Sequence, residues 1–226
     1  MTSLLERAIS IIAPHHCILC GNESNIVCAA CFFDVFDEPH DVCYLCTVPT
    51  QDAQVCKSCQ PRTSLGHVWM AGTYDSARRT LIKAYKFERK RAAYRPLARA
   101  MAAVLPYFED IVVVPIPTAP RHIRVRGYDH AFLLAKTIAA EKNWQLASVL
   151  RRCHNKRQVG ASRAQRFSQA RSAYEVKQPE LVQGKHVLLV DDVTTSGATL
   201  QAAAALLAEA GAVSIDAVVA AKHTLA

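Results

Sequence analysis

The chain has 226 residues, 51% of them hydrophobic and 20% charged, with a formal net charge of +8. That balance excludes a disordered or collagen-like chain, and no apolar run approaches the roughly 20 residues a bilayer span requires. Residues 1–14 include Glu6 and Arg7 and no small-residue cleavage site, so they make a poor secretory signal and the protein reads as cytoplasmic.

Charge is unevenly spread. Residues 1–62 hold three Lys/Arg against seven Asp/Glu, and residues 63–226 hold 24 against 12. The basic excess gathers in residues 78–99, 121–126 and 151–171, which points to a polyanionic partner, either a diphosphate or a nucleic-acid backbone. For residues 78–99 alone, solvated helix faces explain the pattern equally well.

Eight of the nine cysteines form four C-x2-C pairs: Cys17/Cys20, Cys28/Cys31, Cys43/Cys46 and Cys56/Cys59. Each such turn aims two thiolates at one point, and two turns complete a tetrahedral S4 site for zinc. Disulfides are disfavoured by a reducing compartment, and paired turns favour zinc over an iron–sulfur cluster. The preferred pairing is sequential, the first four cysteines on one ion and the later four on a second; an interleaved pairing satisfies the same spacing. Four thiolates leave no open coordination position, so the metal is structural, and the poorly apolar module folds around it. His15, His16 and His40 read as bystanders and Cys153 as an ordinary side chain. The result is a double zinc-ribbon module over 1–62, followed by a second domain over 63–226.

In the second domain, His67 to Tyr74 reads as a strand, with helices from Ser76 and from about Tyr94 to Phe108. Ile111–Val114 is a wholly apolar run, the mark of a buried parallel strand. Helix is expected over Phe132–Glu141 and Leu200–Ala210, and strand over Val187–Val190 and Val213–Ala220. This alternation gives an α/β fold with a mostly parallel sheet, whose ligands sit at the carboxyl ends of the strands. Two loops face that edge. Pro115–Tyr128 is stiffened by prolines, and its Arg121, Arg124 and Arg126 suit a diphosphate. The second, about Arg151–Tyr174, is long, basic and poor in apolar residues, as expected of a mobile lid.

The most informative stretch is Val187–Thr199. Four apolar residues end in Asp191 and Asp192, then a turn of small and hydroxylated residues runs into an alanine-rich helix. Paired carboxylates accept hydrogen bonds from adjacent ribose hydroxyls, and the N–H groups and hydroxyls of residues 194–199 meet a phosphate at a helix N-terminus. The pattern suits a sugar 5-phosphate. It has neither the P-loop lysine nor G-x-G-x-x-G, and its bland alternative is a capped α/β turn.

This run resembles the signature of the type I phosphoribosyltransferases, which bind phosphoribosyl pyrophosphate (PRPP). Over nearly its whole length the chain resembles the ComF/GntX family of competence-associated proteins. The resemblance rests on Cys17 to Cys59, Tyr74 with Lys86-Phe87, Pro115 to Gly127, Gln158…Ser162-Arg163…Arg166, and residues 190–199. Where the family has R-G-F-N-Q, this chain has Arg126-Gly127-Tyr128-Asp129-His130; Ser196 replaces a threonine, and Gln165 and Gln169 stand where Glu and Asn are common. The resemblance implies a type I phosphoribosyltransferase-like fold. It implies PRPP binding by Asp191, Asp192, Thr194, Thr195, Ser196, Gly197, Ala198 and Thr199, and a pyrophosphate loop with Pro117, Arg121, Arg124 and Arg126. It further implies Mg²⁺ accompanying PRPP, and a lid or DNA-binding segment with Arg157, Gln158, Arg163, Arg166 and Arg171.

Three functions are compatible with this reading. One is a factor that binds PRPP and single-stranded DNA in natural transformation or DNA utilisation. Another is an active phosphoribosyltransferase, although no side chain stands out as a general base. The third is an adaptor whose acidic ribbon module docks a helicase or recombination-mediator protein.

Overall fold

The computed structural model describes residues 16–36, 41–153 and 171–223. Five parallel strands make the central sheet: β1 (Val68–Met70), β2 (Ile111–Pro115), β3 (Gln145–Leu146), β6 (His186–Thr194) and β7 (Ser214–Lys222), in the order β1-β7-β6-β2-β3. The apolar run of β2 is buried at every position, as a central parallel strand covered on both faces must be. Two short strands, β4 (Leu150–Arg152) and β5 (Tyr174–Val176), form a separate antiparallel pair.

Side chains alternate along β6 and divide the interior in two. Leu188 and Val190 face a core built with α2 (Ser76–Phe87), α3 (Tyr94–Ala103) and α5 (His130–Lys142). Val187 and Leu189 face a core that holds Leu200, Ala203 and Leu207 of α6 (Ala198–Glu209). The cysteine segment enters both. Val27 lies in the first core, with Phe32 and Phe36 of α1 (Ala29–Phe36) packed against it; Cys43, Tyr44, Val55 and Cys59 lie in the second. Arg99 stacks on Phe32 with 4.9 Å between the guanidinium carbon and the ring centroid, and Arg78 on Phe36 at 5.6 Å.

Several boundaries differ from those expected, each for a local reason. β1 is only three residues long, and its continuation reduces to a single bridge between Thr73 and Lys222. Helix α3 stops at Ala103, short of Phe108, because Pro106 disfavours helical backbone at Leu105. β6 runs four residues past Val190, since β7 continues to pair with it as far as Thr194 opposite Lys222. The Pro115–Tyr128 loop contains a short helix, α4 (Pro120–Arg126), which opens on Pro120 and closes on Gly127 at φ 83°, a left-handed position natural to glycine. No helix among the described residues is long and apolar enough to cross a membrane.

Candidate functional site

Strand order places the site. From β2 the chain moves outward to β3, then returns to β6 and proceeds the other way to β7. The carboxyl ends of β2 and β6 therefore flank a topological switch point, where open α/β sheets hold their ligands. Pro117–Ala119 follows the first of these strands, and Thr195–Gly197 follows the second.

Asp191 and Asp192 are the sixth and seventh residues of β6. One ligand-type atom from each, and one from His130, all lie within 4.8 Å of each other. Asp192 is 3% exposed. Its Oδ1 is 2.7 Å from Lys86 Nζ, and its Oδ2 is 2.8 Å from His130 Nε2. The second contact has ion-pair distance without hydrogen-bond alignment, so Oδ2 is a buried acceptor with room for a better-directed donor. Burial alone raises the Asp192 carboxyl, but Lys86 and His130 outweigh it and hold the group well below the usual carboxylate range. Asp191 has the opposite balance: burial and the Asp192 charge push it up to about 7 despite Lys86.

His130 links the two loops. Its Nδ1 is 2.8 Å from Arg126 Nη1 and 3.0 Å from Thr118 Oγ1. A guanidinium only donates, so Nδ1 is the accepting nitrogen and the ring proton sits on Nε2, facing Asp192. Thr118 Oγ1 donates to Asp129 Oδ1 at 2.7 Å, and the same carboxylate oxygen caps α5 by accepting from Phe132 N–H at 3.1 Å. Behind this chain, the Tyr85 hydroxyl donates to His130 O at 2.8 Å, and the Tyr128 hydroxyl donates to Tyr85 O. Burial raises both phenols, Tyr85 far above its usual value, so they remain donors.

The turn after β6 leads into α6 with no side-chain cap on that helix. Its first-turn N–H groups therefore keep the unsatisfied donors and positive dipole end that attract an anion. Thr195 is exposed; Ser196, Ala198 and Thr199 are half-buried; Gly197 is buried; and Thr194 is buried within β6. Of the loop residues after β2, Pro117 is half-buried, Arg121 and Arg124 are exposed on α4, and Arg126 reaches inward to His130 and stacks on Phe87 at 5.2 Å. Arg171 is exposed and pairs with Glu209 of α6. Arg157, Gln158, Arg163 and Arg166 lie outside the described residues.

Sequence reasoning did not select Lys86, Thr118, Asp129 or His130 as site residues. Lys86 was visible only as the lysine of the Lys-aromatic pair. Asp129 and His130 stand where the family carries amides, and the fold puts both to use.

The eight cysteines form two clusters, Cys17/Cys20/Cys28/Cys31 and Cys43/Cys46/Cys56/Cys59, each with its four sulfurs within 4.8 Å of one another. The sequential pairing is the one formed. In the first cluster Cys28 directly precedes α1 and Cys31 lies in its first turn; Cys31 N–H points at Cys28 Sγ across 3.5 Å. Sulfurs of different pairs stand 3.8 Å apart at Cys20–Cys28 and 3.5 Å apart at Cys46–Cys56. Tetrahedral thiolates at the usual zinc–sulfur length stand about 3.8 Å apart. Crowding splits the thiols: burial raises Cys17, but N–H donors led by that of Cys28 lower it to about 6, whereas burial and Cys56 push Cys59 up to about 12. A divalent cation at the centre removes that conflict, so the donor set fits zinc.

Residues 129–224 match the phosphoribosyl transferase domain. The chain is 26% identical over 196 residues to competence protein ComFC of Bacillus subtilis (strain 168), covering 82% of this chain and 79% of that protein. A solved structure described as the allosteric regulatory enzyme of purine biosynthesis overlaps 56% of this chain at 20% identity and a TM-score of 0.40, and the chain spans 25% of that enzyme's length. The resemblance to the ComF family read from the motifs is borne out by the ComFC relative and the domain match.

Proposed function

We propose that this ComF-type chain holds PRPP, with Mg²⁺, at the β2/β6 switch point and binds single-stranded DNA on the basic surface beside it, in DNA uptake or utilisation. The observation that carries the reading is an acidic strand end running into an uncapped helix start where the strand order reverses. In this reading the ribose hydroxyls meet Asp191 and the under-directed Oδ2 of Asp192. The 5-phosphate takes the amides of residues 196–199, and the pyrophosphate takes the Pro117–Arg126 segment. Mg²⁺ supplies charge neutralisation of the pyrophosphate. Each cysteine cluster holds one structural zinc.

His130 has a defined task here. Arg126 fixes its tautomer and Nε2–H faces Asp192 at ion-pair distance, so a pyrophosphate that recruits Arg126 also alters what Asp192 feels. Exposed Arg89, Lys90, Arg91, Arg121 and Arg124 supply the charge for a nucleic-acid backbone.

Calorimetry tests the first part. PRPP with Mg²⁺ is expected to bind the native chain and to weaken at least about tenfold when Asp191→Asn and Asp192→Asn are combined, because both carboxyl groups become neutral amides that accept more weakly. Unchanged affinity refutes the placement of the ribose. For DNA, the logarithm of the binding constant should fall with the logarithm of salt. Arg121→Ala with Arg124→Ala should flatten that slope by roughly 0.9 for each phosphate no longer neutralised.

A second reading, phosphoribosyl transfer to an acceptor, is favoured by one feature. Asp191, raised to about 7, has the proton affinity of a general base at neutral pH. Release of pyrophosphate from PRPP that depends on an added acceptor would support it.

A further inference from the structure

We propose that Tyr44, pinned beside the second cysteine cluster, is a positioning residue for the phosphate-binding turn: its ring holds Gly197 so that the opening amides of α6 converge on a 5-phosphate. The inference rests on the ribose-phosphate reading above and gives the cysteine module a part in ligand binding.

Gly197 is left-handed at φ +75° and buried. A Cβ on it would stand 2.5 Å from Tyr44 Cε2, 2.9 Å from Tyr44 Cδ2 and 3.4 Å from Leu45 Cδ2. Ring and turn are thus in direct contact, and only a residue without a side chain fits beneath the ring.

Tyr44 itself has little freedom. It is 1% exposed and follows Cys43 directly. Its hydroxyl donates to Thr63 Oγ1 at 2.9 Å. Lys222 Nζ donates to its carbonyl at 2.5 Å and to that of Cys43 at 3.5 Å. Lys222 pairs in register with Thr194, the last strand residue before the turn. On the other side Gln201, in the first turn of α6, donates to Arg62 O at 3.0 Å. The module therefore grips the turn through the strand before it, the helix after it and the glycine between.

The physical consequence is pre-organisation. An uncapped helix start preceded by glycine has the widest backbone freedom a chain offers. Ordering it on binding costs affinity unless a neighbour has already ordered it. The Tyr44 ring occupies the space into which the turn would otherwise relax.

The test uses the full-length, zinc-loaded protein and two separate calorimetric titrations. Ribose 5-phosphate probes the turn, and pyrophosphate with Mg²⁺ probes the Pro117–Arg126 segment. Tyr44→Ala is expected to weaken ribose 5-phosphate about tenfold through reduced pre-organisation while pyrophosphate affinity stays within about twofold. Tyr44→Phe, which keeps the ring against Gly197, should bind both ligands like the native chain. Tyr44→Leu keeps the module filled but removes the flat ring, and should show the same split should the alanine variant fail to fold. Native-like binding of ribose 5-phosphate by both Tyr44→Ala and Tyr44→Leu overturns the inference, as does equal weakening of both ligands, which marks a merely structural role. If the native chain binds neither probe, the ribose-phosphate reading fails and this one with it; if the native chain binds and the variants match it, only the role of Tyr44 falls.

Discussion

At the scale of single residues, Asp191 and Asp192 share a backbone link and have contrary electrostatics. Burial and the adjacent carboxylate push Asp191 up to about 7, whereas Lys86 and His130 keep Asp192 ionised. A folded-state acid with a raised value binds its proton more tightly than the unfolded chain does, so stability falls as pH climbs from about 4 to about 7. Asp191→Asn is therefore expected to raise the melting temperature at pH 8, by the equivalent of about 2 kcal/mol after allowing for partial exposure, and to be neutral at pH 3.5. Equal melting of the two proteins at pH 8 would contradict this assignment. Lys86→Met should cost about 3 kcal/mol, because it leaves a buried carboxylate facing only the imidazole; urea titration measures it. The acid pair was legible in the sequence because a strand end and a turn are local patterns. Lys86 reaches the strand residue Asp192 from helix α2, far away in the sequence, and no spacing rule encodes that meeting.

Elements show the same division between local and distant causes. Helix α5 begins one residue after Asp129 because that carboxylate accepts from Phe132 N–H, and it ends at a left-handed Asn143 with Trp144 N–H returning to Ala139 O at 2.8 Å. Asp129→Ala should cost about 1–2 kcal/mol by removing the cap, with Asp129→Asn recovering most of it; chemical denaturation separates the two. That cap also holds Thr118, so the alanine variant should weaken pyrophosphate binding as well. Periodicity revealed most of the helices and the apolar strands. It could not set the length of β6, which depends on how far β7 continues beside it, nor reveal a helix within a proline-rich loop. The C-x2-C spacing led to the right grouping of sulfurs but not to the helix that follows Cys28 and carries Cys31.

Across the whole molecule, the cysteine segment and the sheet are built into each other. Cys43, Tyr44, Val55 and Cys59 share a core with β2, β6 and α6, and Phe32 and Phe36 pack on the opposite core. Metal analysis of the purified chain should find two zinc ions per molecule. Their removal by a strong chelator should lower the melting temperature of the entire protein in one transition, because the cores are shared; a second, unaffected transition would argue for separable halves. The charge asymmetry is plain in the composition, but a count of charges carries no information about which side of the sheet each half covers.

Lys222, in the last strand of the sheet, donates to the carbonyl of a residue 178 positions before it. On the ribosome the cysteine turns emerge well before that strand, which fastens Tyr44 only after everything between them has been made. Until then Tyr44, buried in the finished fold, has nothing to close over it, and a segment made early is fastened late.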